Sequence, residues 1–228
     1  MNFHKIISKQ KLWNLHQSSS CSFTLLPNQA QVVIVGSGVV ANSVAYHLVK
    51  NGWKDLVLLE QDSLCSGTSS FGSGTLGLFK PIDERNIINY SIKLYKELQD
   101  EGYNLNIEQV GSINVAQTKD RMIALRRRMA FNLPTGLDCE VVGPQEIKKL
   151  HPYINVTDLE GGVWVPEDCI GNPQVIGRTL ASLAEKGGAR YFEKCHFDNY
   201  KFGHAFSTSL AMPRDELAGF RSEATEFS

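Results

Sequence analysis

The stretch VVIVGSGVVANSVAYHLVKNGWKDLVLLEQ, residues 32–61, decides the fold. It opens on a short apolar run rich in β-branched residues, Gln31–Val35, which suits a buried parallel strand. Gly36 to Gly38 read as a tight turn. Val40, Val44, Ala45 and Leu48 then recur at helical spacing, so Val39–Asn51 is predicted to be a helix that stops at Gly52. Leu56–Leu59 reads as a second buried strand. Strand, helix and strand together form a βαβ unit.

Inside that unit lies Gly36-x-Gly38-x-x-Ala41. Gly36 allows the strand to turn sharply. Gly38 has no side chain, so a pyrophosphate can approach the backbone. Ala41 is small enough for close packing of helix on strand. The helix then begins at Val39 and Val40, where backbone N–H groups and the positive end of the helix dipole favour phosphate. Glu60 ends the second strand 24 positions after Gly36. A carboxylate there can accept hydrogen bonds from the ribose hydroxyls of an adenosine and would repel a 2′-phosphate, which argues against NADP. Gln61, next in the chain, is included in the same site.

The chain continues into SGTSSFGSGTLGLF, residues 66–79. A nicotinamide-binding domain has no general need for such a loop, whereas a flavin has a bulky ring and a ribityl chain to accommodate. Gly67, Gly72 and Gly74 would let backbone lie against them, and Thr68, Ser69 and Ser70 supply small donors. A flexible linker is the alternative, but Leu76, Leu78 and Phe79 are poor linker material.

Further on, residues 87–102 read as an amphipathic helix with Ile88, Ile92, Tyr95 and Leu98 on one face. Residues 111–116 read as a strand and 118–131 as a helix, with Thr118 as N-cap and Asp120 in its first turn. A strand at 139–142, a helix opened by Pro144, a strand and turn at 161–168, a helix from Asn172-Pro173 to Gly187-Gly188, and a strand at 189–195 follow. Beyond Cys195 neither period is sustained.

The 228 residues suffice for one good core, or for one large domain and part of a second. A net charge of −1 gives no bulk attraction to nucleic acid. No run of about 18 apolar residues suggests a membrane span. Five scattered cysteines, Cys21, Cys65, Cys139, Cys169 and Cys195, match no metal spacing and read as reduced thiols. The N-terminal residues carry Lys5, Lys9 and Lys11, many serines and no acid before Asp55, which reads as a mitochondrial targeting segment. His47 and His151 read as packing, cap or surface residues, Arg126–Arg128 as a solvated helix face, and Cys65 as a small packed residue. No residue stands out from the sequence as a catalytic base.

The βαβ run followed by SGTSSFGSG resembles the FAD-dependent amine oxidoreductases of the D-amino-acid-oxidase-like superfamily. YSIKLYKELQ, GSINVAQTKDR, LHPYINVTDLEGGVWVPED and ASLAEKGGARYFEKC extend the resemblance to the mitochondrial branch with dimethylglycine and sarcosine dehydrogenases. SSFGSGTLGLFKP and VPED look most like that branch's regulatory-subunit lineage, flavoproteins of pyruvate dehydrogenase phosphatase. The resemblance implies an α/β fold: a Rossmann-like FAD-binding domain running into part of an interleaved α+β substrate domain. It implies FAD as cofactor, location in the mitochondrial matrix, and as partners the phosphatase catalytic subunit or a small N-methyl amine substrate. The branch's dehydrogenases carry a histidine in the loop that bonds covalently to flavin. The matching position here is Phe71, which has no nucleophilic atom, so the resemblance implies non-covalent FAD. The relatives are far longer, so an inactive, truncated product is a third reading. The expected organisation is a targeting segment at 1–26, a partial FAD oxidoreductase domain at 27–195 and a divergent tail at 196–228.

Overall fold

A computed structural model describes residues 26–27 and 30–197. The expected targeting segment and tail fall outside these residues, apart from Leu26, His196 and Phe197. In chain order the elements are β1 (Val32–Val35), α1 (Val39–Lys50), β2 (Leu56–Leu59), the single turn α2 (Thr68–Phe71) and β3 (Thr75–Leu76). Next come α3 (Ile82–Asp100), β4 (Glu108–Gln109), β5 (Ser112–Ala116) and α4 (Lys119–Asn132), which runs into a 3-10 turn at Leu133–Thr135. The last are β6 (Glu140–Val142), α5 (Pro144–Leu150), β7 (Gly161–Val165), β8 (Cys169–Ile170), α6 (Pro173–Lys186) and β9 (Arg190–Phe192). The described residues form two compact units, one of those up to 71 together with 177–197 and one of residues 72–176.

The first unit holds a parallel sheet in the order β1-β2-β9, with Val33 opposite Val57 and Val57 opposite Arg190. All four residues of central β2 are buried, which explains its unbroken apolar run. Ala41 and Ala45 of α1 pack with Ile34, Leu56, Leu58, Ala184 and Ala189. Two alanines at helical spacing bring α1 close to the sheet. Val57, Leu59 and Cys195 form a second cluster, with Leu26, Ala30 and Phe192 against it. An ion pair of 2.6 Å from Arg190 to Asp55 joins the starts of β9 and β2, but both side chains are 43% exposed, so it adds little stability.

The second unit contains two small antiparallel sheets, ordered β3-β8-β4 and β5-β7-β6. Thr118 caps α4 as expected, its hydroxyl accepting from the Arg121 amide at 3.2 Å. The buried Asp168 ties the unit together. Its carboxylate accepts from the Leu78 amide at 2.7 Å and from the Ser112 hydroxyl at 2.5 Å, while its carbonyl accepts from Val110 and Gly111.

Helix α3 starts at Ile82, ahead of the apolar period that predicted it from residue 87. Pro81 precedes it, and Asp83 and Glu84 suit the positive end of the helix dipole. The first turn escapes the apolar pattern because its inward residue is Arg85, which is 3% exposed. The glycine- and serine-rich loop is more ordered than expected, holding both α2 and β3. Among the described residues no helix is long and apolar enough to cross a membrane.

Candidate functional site

The turn between β1 and α1 is fixed by backbone first. The Gly36 amide donates to the Leu59 carbonyl at 2.8 Å, so the end of β1 is locked to the end of β2. Gly36 then adopts φ +92°, a left-handed conformation in which a side chain costs about 1–2 kcal/mol. Asn42 closes the first helical turn onto the Gly38 carbonyl at 3.0 Å. The amides of Val40 and Ala41 are left as open donors of the helix N-terminus, and Val40 is 68% exposed.

The amide of Val39 is not open. It donates to the Ser69 hydroxyl at 2.9 Å. Ser69 belongs to α2, so the loop beyond β2 folds back over the start of α1. An added Cβ at Gly38 would lie 3.2 Å from that same hydroxyl oxygen. The missing side chain at 38 therefore makes room for Ser69 as well as for an approaching ligand. Helical turn α2 is held by Ser70, whose hydroxyl donates to the carbonyls of Ser66 and Gly67, both at 2.8 Å. Gly67 and Thr68 are exposed, and no atom lies within 4 Å of a Cβ built at Gly67. Phe71 ends α2 with 87% of its surface exposed.

Glu60 is half-buried at the end of β2, its amide donating to the Phe192 carbonyl of β9 at 2.9 Å. One carboxylate oxygen accepts from the Ser37 amide at 2.9 Å and hydroxyl at 2.6 Å. The other accepts from the Asp62 amide at 2.8 Å. Three of its roughly four acceptor positions are thus filled from within the chain, leaving capacity for a hydroxyl donor. Gln61, beside it, is exposed.

Beneath the turn lies a buried network that sequence reasoning missed. The Asn42 amide group donates to the Ser37 carbonyl at 2.8 Å and to the Cys65 sulfur at 3.3 Å. The Cys65 thiol donates to that carbonyl at 3.2 Å. Burial pushes the Cys65 thiol above its ordinary pKa, the bond from Asn42 opposing the shift only in part. It is a protonated packing group, as the sequence reading held. The Asn42 side-chain oxygen is buried without a partner. Only the close of a helical turn over a tight glycine turn brings these residues together, so periodicity carries no trace of them.

Gly72 and Gly74 lie in the second unit. Gly72 is exposed. At Gly74, φ is +72° and an added Cβ would meet the Gly171 carbonyl oxygen at 1.8 Å. Its lack of a side chain is thus already required by the packing of β3 beside β8. His47 bonds to the Ser43 carbonyl at 2.7 Å within α1, and His151 is the exposed C-cap of α5.

Open amides at a helix start, a glycine turn with clear space beside it and an anchored carboxylate at the next strand end fit a dinucleotide. They define the class as a Rossmann-type nucleotide-binding fold. The protein-family model described as FAD dependent oxidoreductase matches residues 31–209, and the chain belongs to that family. The pyruvate dehydrogenase phosphatase regulatory subunit, mitochondrial, of Mus musculus is 42% identical over 171 residues, covering 74% of this chain and 20% of that protein. Human mitochondrial sarcosine dehydrogenase is 34% identical over 173 residues, covering 75% of this chain and 19% of that protein. Among solved structures, L-proline dehydrogenase from P. horikoshii superimposes with a TM-score of 0.66 at 24% identity, covering 74% of this chain and 45% of that one. The chain spans about a fifth of the length of these two curated relatives. The α/β fold, the family and FAD as that family's cofactor therefore stand as the sequence reading had them.

Proposed function

We propose that this chain is the FAD-binding portion of a mitochondrial matrix flavoprotein of the regulatory-subunit type, which acts with the catalytic subunit of pyruvate dehydrogenase phosphatase. The observation that carries this reading is Phe71. It stands exposed at the end of α2, at the loop position where the resemblance gives the dehydrogenases a flavin-bonding histidine. The 42% identity to a regulatory subunit supports it.

In this reading residues 27–195 form the oxidoreductase-type portion, between a targeting segment and a divergent tail. Gly36, Gly38 and the amides of Val39, Val40 and Ala41 receive the pyrophosphate, with Ser69 yielding the Val39 amide by rotation of its side chain. Glu60, with Gln61 beside it, holds the adenosine ribose. Gly67, Thr68, Ser70 and Phe71 line the path of the ribityl chain and ring. Bound FAD supplies the redox chemistry of the family, while the chain supplies binding and orientation without a covalent bond.

A second reading is oxidative demethylation of an N-methyl amine, favoured by the 34% identity to sarcosine dehydrogenase. The test is to supply FAD-loaded chain with sarcosine or dimethylglycine and an artificial electron acceptor, and separately to add it to the phosphatase catalytic subunit. The first reading expects no turnover and an altered phosphatase rate. Sustained turnover with an unaltered phosphatase rate would transfer the assignment to the second.

A further inference from the structure

We propose that a groove on the second unit, between the start of α3 and the end of α4, docks an acidic segment of a partner protein that carries an apolar anchor residue. The groove has a volume of about 520 Å³ and is lined by Pro81, Ile82, Arg128, Phe131, Asn132 and Thr135. Its apolar wall is not used by the unit's own core. Helix α4 buries Met122 and Leu125, whereas Phe131 is 81% exposed and Ile82 41%. Leu133, just beyond, is exposed as well. An exposed aromatic beside a concave apolar surface is the usual setting of an interface anchor.

The charge of the helix that walls this groove selects the partner, with Arg128 on the lining itself. Helix α4 carries Lys119, Arg121, Arg126, Arg127 and Arg128 against the single acid Asp120, in a chain whose net charge is −1. Arg126, Arg127 and Arg128 are exposed, and among the described residues none forms an ion pair. The Arg128 guanidinium lies 5.7 Å from the ring centre of Phe79, which fixes it at the groove.

Arg85 adds a second, buried cation. It is 3% exposed, and one guanidinium nitrogen donates to the Thr135 carbonyl at 3.0 Å and to the Thr135 hydroxyl, on the groove wall. Its other terminal nitrogen is buried without a partner, and no carboxylate pairs with it among the described residues. A buried guanidinium lacking a counter-ion projects positive potential to the nearest opening. Asp83 and Glu84 in the first turn of α3 pair with none of these arginines. Carboxylates therefore gain at the rim, and an apolar side chain gains beside Phe131 and Ile82. This inference stands on the second unit alone and holds whether the protein is regulatory or catalytic.

The test is fluorescence anisotropy with the full chain and a labelled twelve-residue peptide of Glu and Asp around a central Phe-Ser-Ser-Leu. Saturable binding is expected, weakened at least tenfold by Arg126→Glu with Arg127→Glu, by Phe131→Ser, and by replacing the peptide's Phe and Leu with Ser. Arg126→Lys with Arg127→Lys should retain most of the binding. All of these positions are exposed, and circular dichroism matching the parent chain checks each fold. Absence of binding, binding indifferent to the charge reversal or to Phe131, or equal affinity for oligothymidylate or phosphatidylserine vesicles would each overturn the proposal.

Discussion

The glycines around the β1–α1 turn of the first unit and those beside β8 and β5 in the second do opposite things. In the first, Cβ atoms built at Gly36 and Gly67 would meet nothing within 4 Å, and at Gly38 only a serine hydroxyl at 3.2 Å. In the second, the position at Gly74 is filled by the Gly171 carbonyl at 1.8 Å, and that at Gly111 by the Trp164 ring at 2.0 Å. The first set leaves surface open. The second lets the chain close on itself. The same letter in the sequence thus marks open surface at the β1–α1 turn and packing elsewhere, Gly187 of the first unit included, where an added Cβ would meet Val49 at 1.9 Å.

The largest effect that would break this contrast belongs to the second unit. Gly74→Ala and Gly111→Ala each force a Cβ into occupied space at a left-handed φ, of +72° and +71°. Each is expected to destabilise the chain by about 3 kcal/mol, overpacking adding to backbone strain. Urea unfolding followed by tryptophan fluorescence measures it, and an unmoved midpoint would remove the packing account.

Gly38→Val is the counterpart in the first unit. FAD should bind about a hundredfold more weakly, about 2.7 kcal/mol, because the side chain occupies the pyrophosphate's approach. The unfolding midpoint of the ligand-free chain should move much less than in Gly74→Ala. Equal losses of stability would show that the turn glycine Gly38 is a packing residue too. Glu60→Gln should weaken FAD about tenfold, since a neutral amide is a poorer acceptor for ribose hydroxyls. Titration of flavin fluorescence gives both constants.

A smaller effect is common to the two units. Burial pushes the thiols of Cys65, in the first, and Cys139 and Cys169, in the second, above the ordinary value of 9.0. Above that pH the unfolded chain loses thiol protons that the folded chain keeps. Stability from these groups is therefore full below pH 9.0 and falls as pH rises through their folded values. Melting temperatures measured from pH 8 to 10.5 should decline, and replacement of all three by Ala or Val should flatten the decline.

The βαβ unit was legible because two strong periods meet at a glycine turn, and Glu60 follows at the strand end that the motif requires. Thr118 as N-cap was legible from local chemistry alone. What escaped was contact across the chain. Asp168 reaches Leu78, 90 positions away, and Cys65 reaches Ser37, 28 away, with no pattern to announce either. Arg85 concealed the first turn of α3 because a buried cation sits where an apolar residue was sought. Ser69 is a small donor by composition, yet its bond to the Val39 amide depends on the helical turn at Thr68–Phe71 that the loop's composition hides.

The central claim is that the open glycines and Glu60 hold FAD without a covalent bond. The most direct test is the absorbance spectrum of the purified chain incubated with FAD and freed of excess, before and after acid precipitation. A flavin spectrum whose yellow colour passes entirely into the supernatant is the predicted result. Colour retained in the pellet would contradict the reading of Phe71, and no bound flavin at all would contradict the cradle itself.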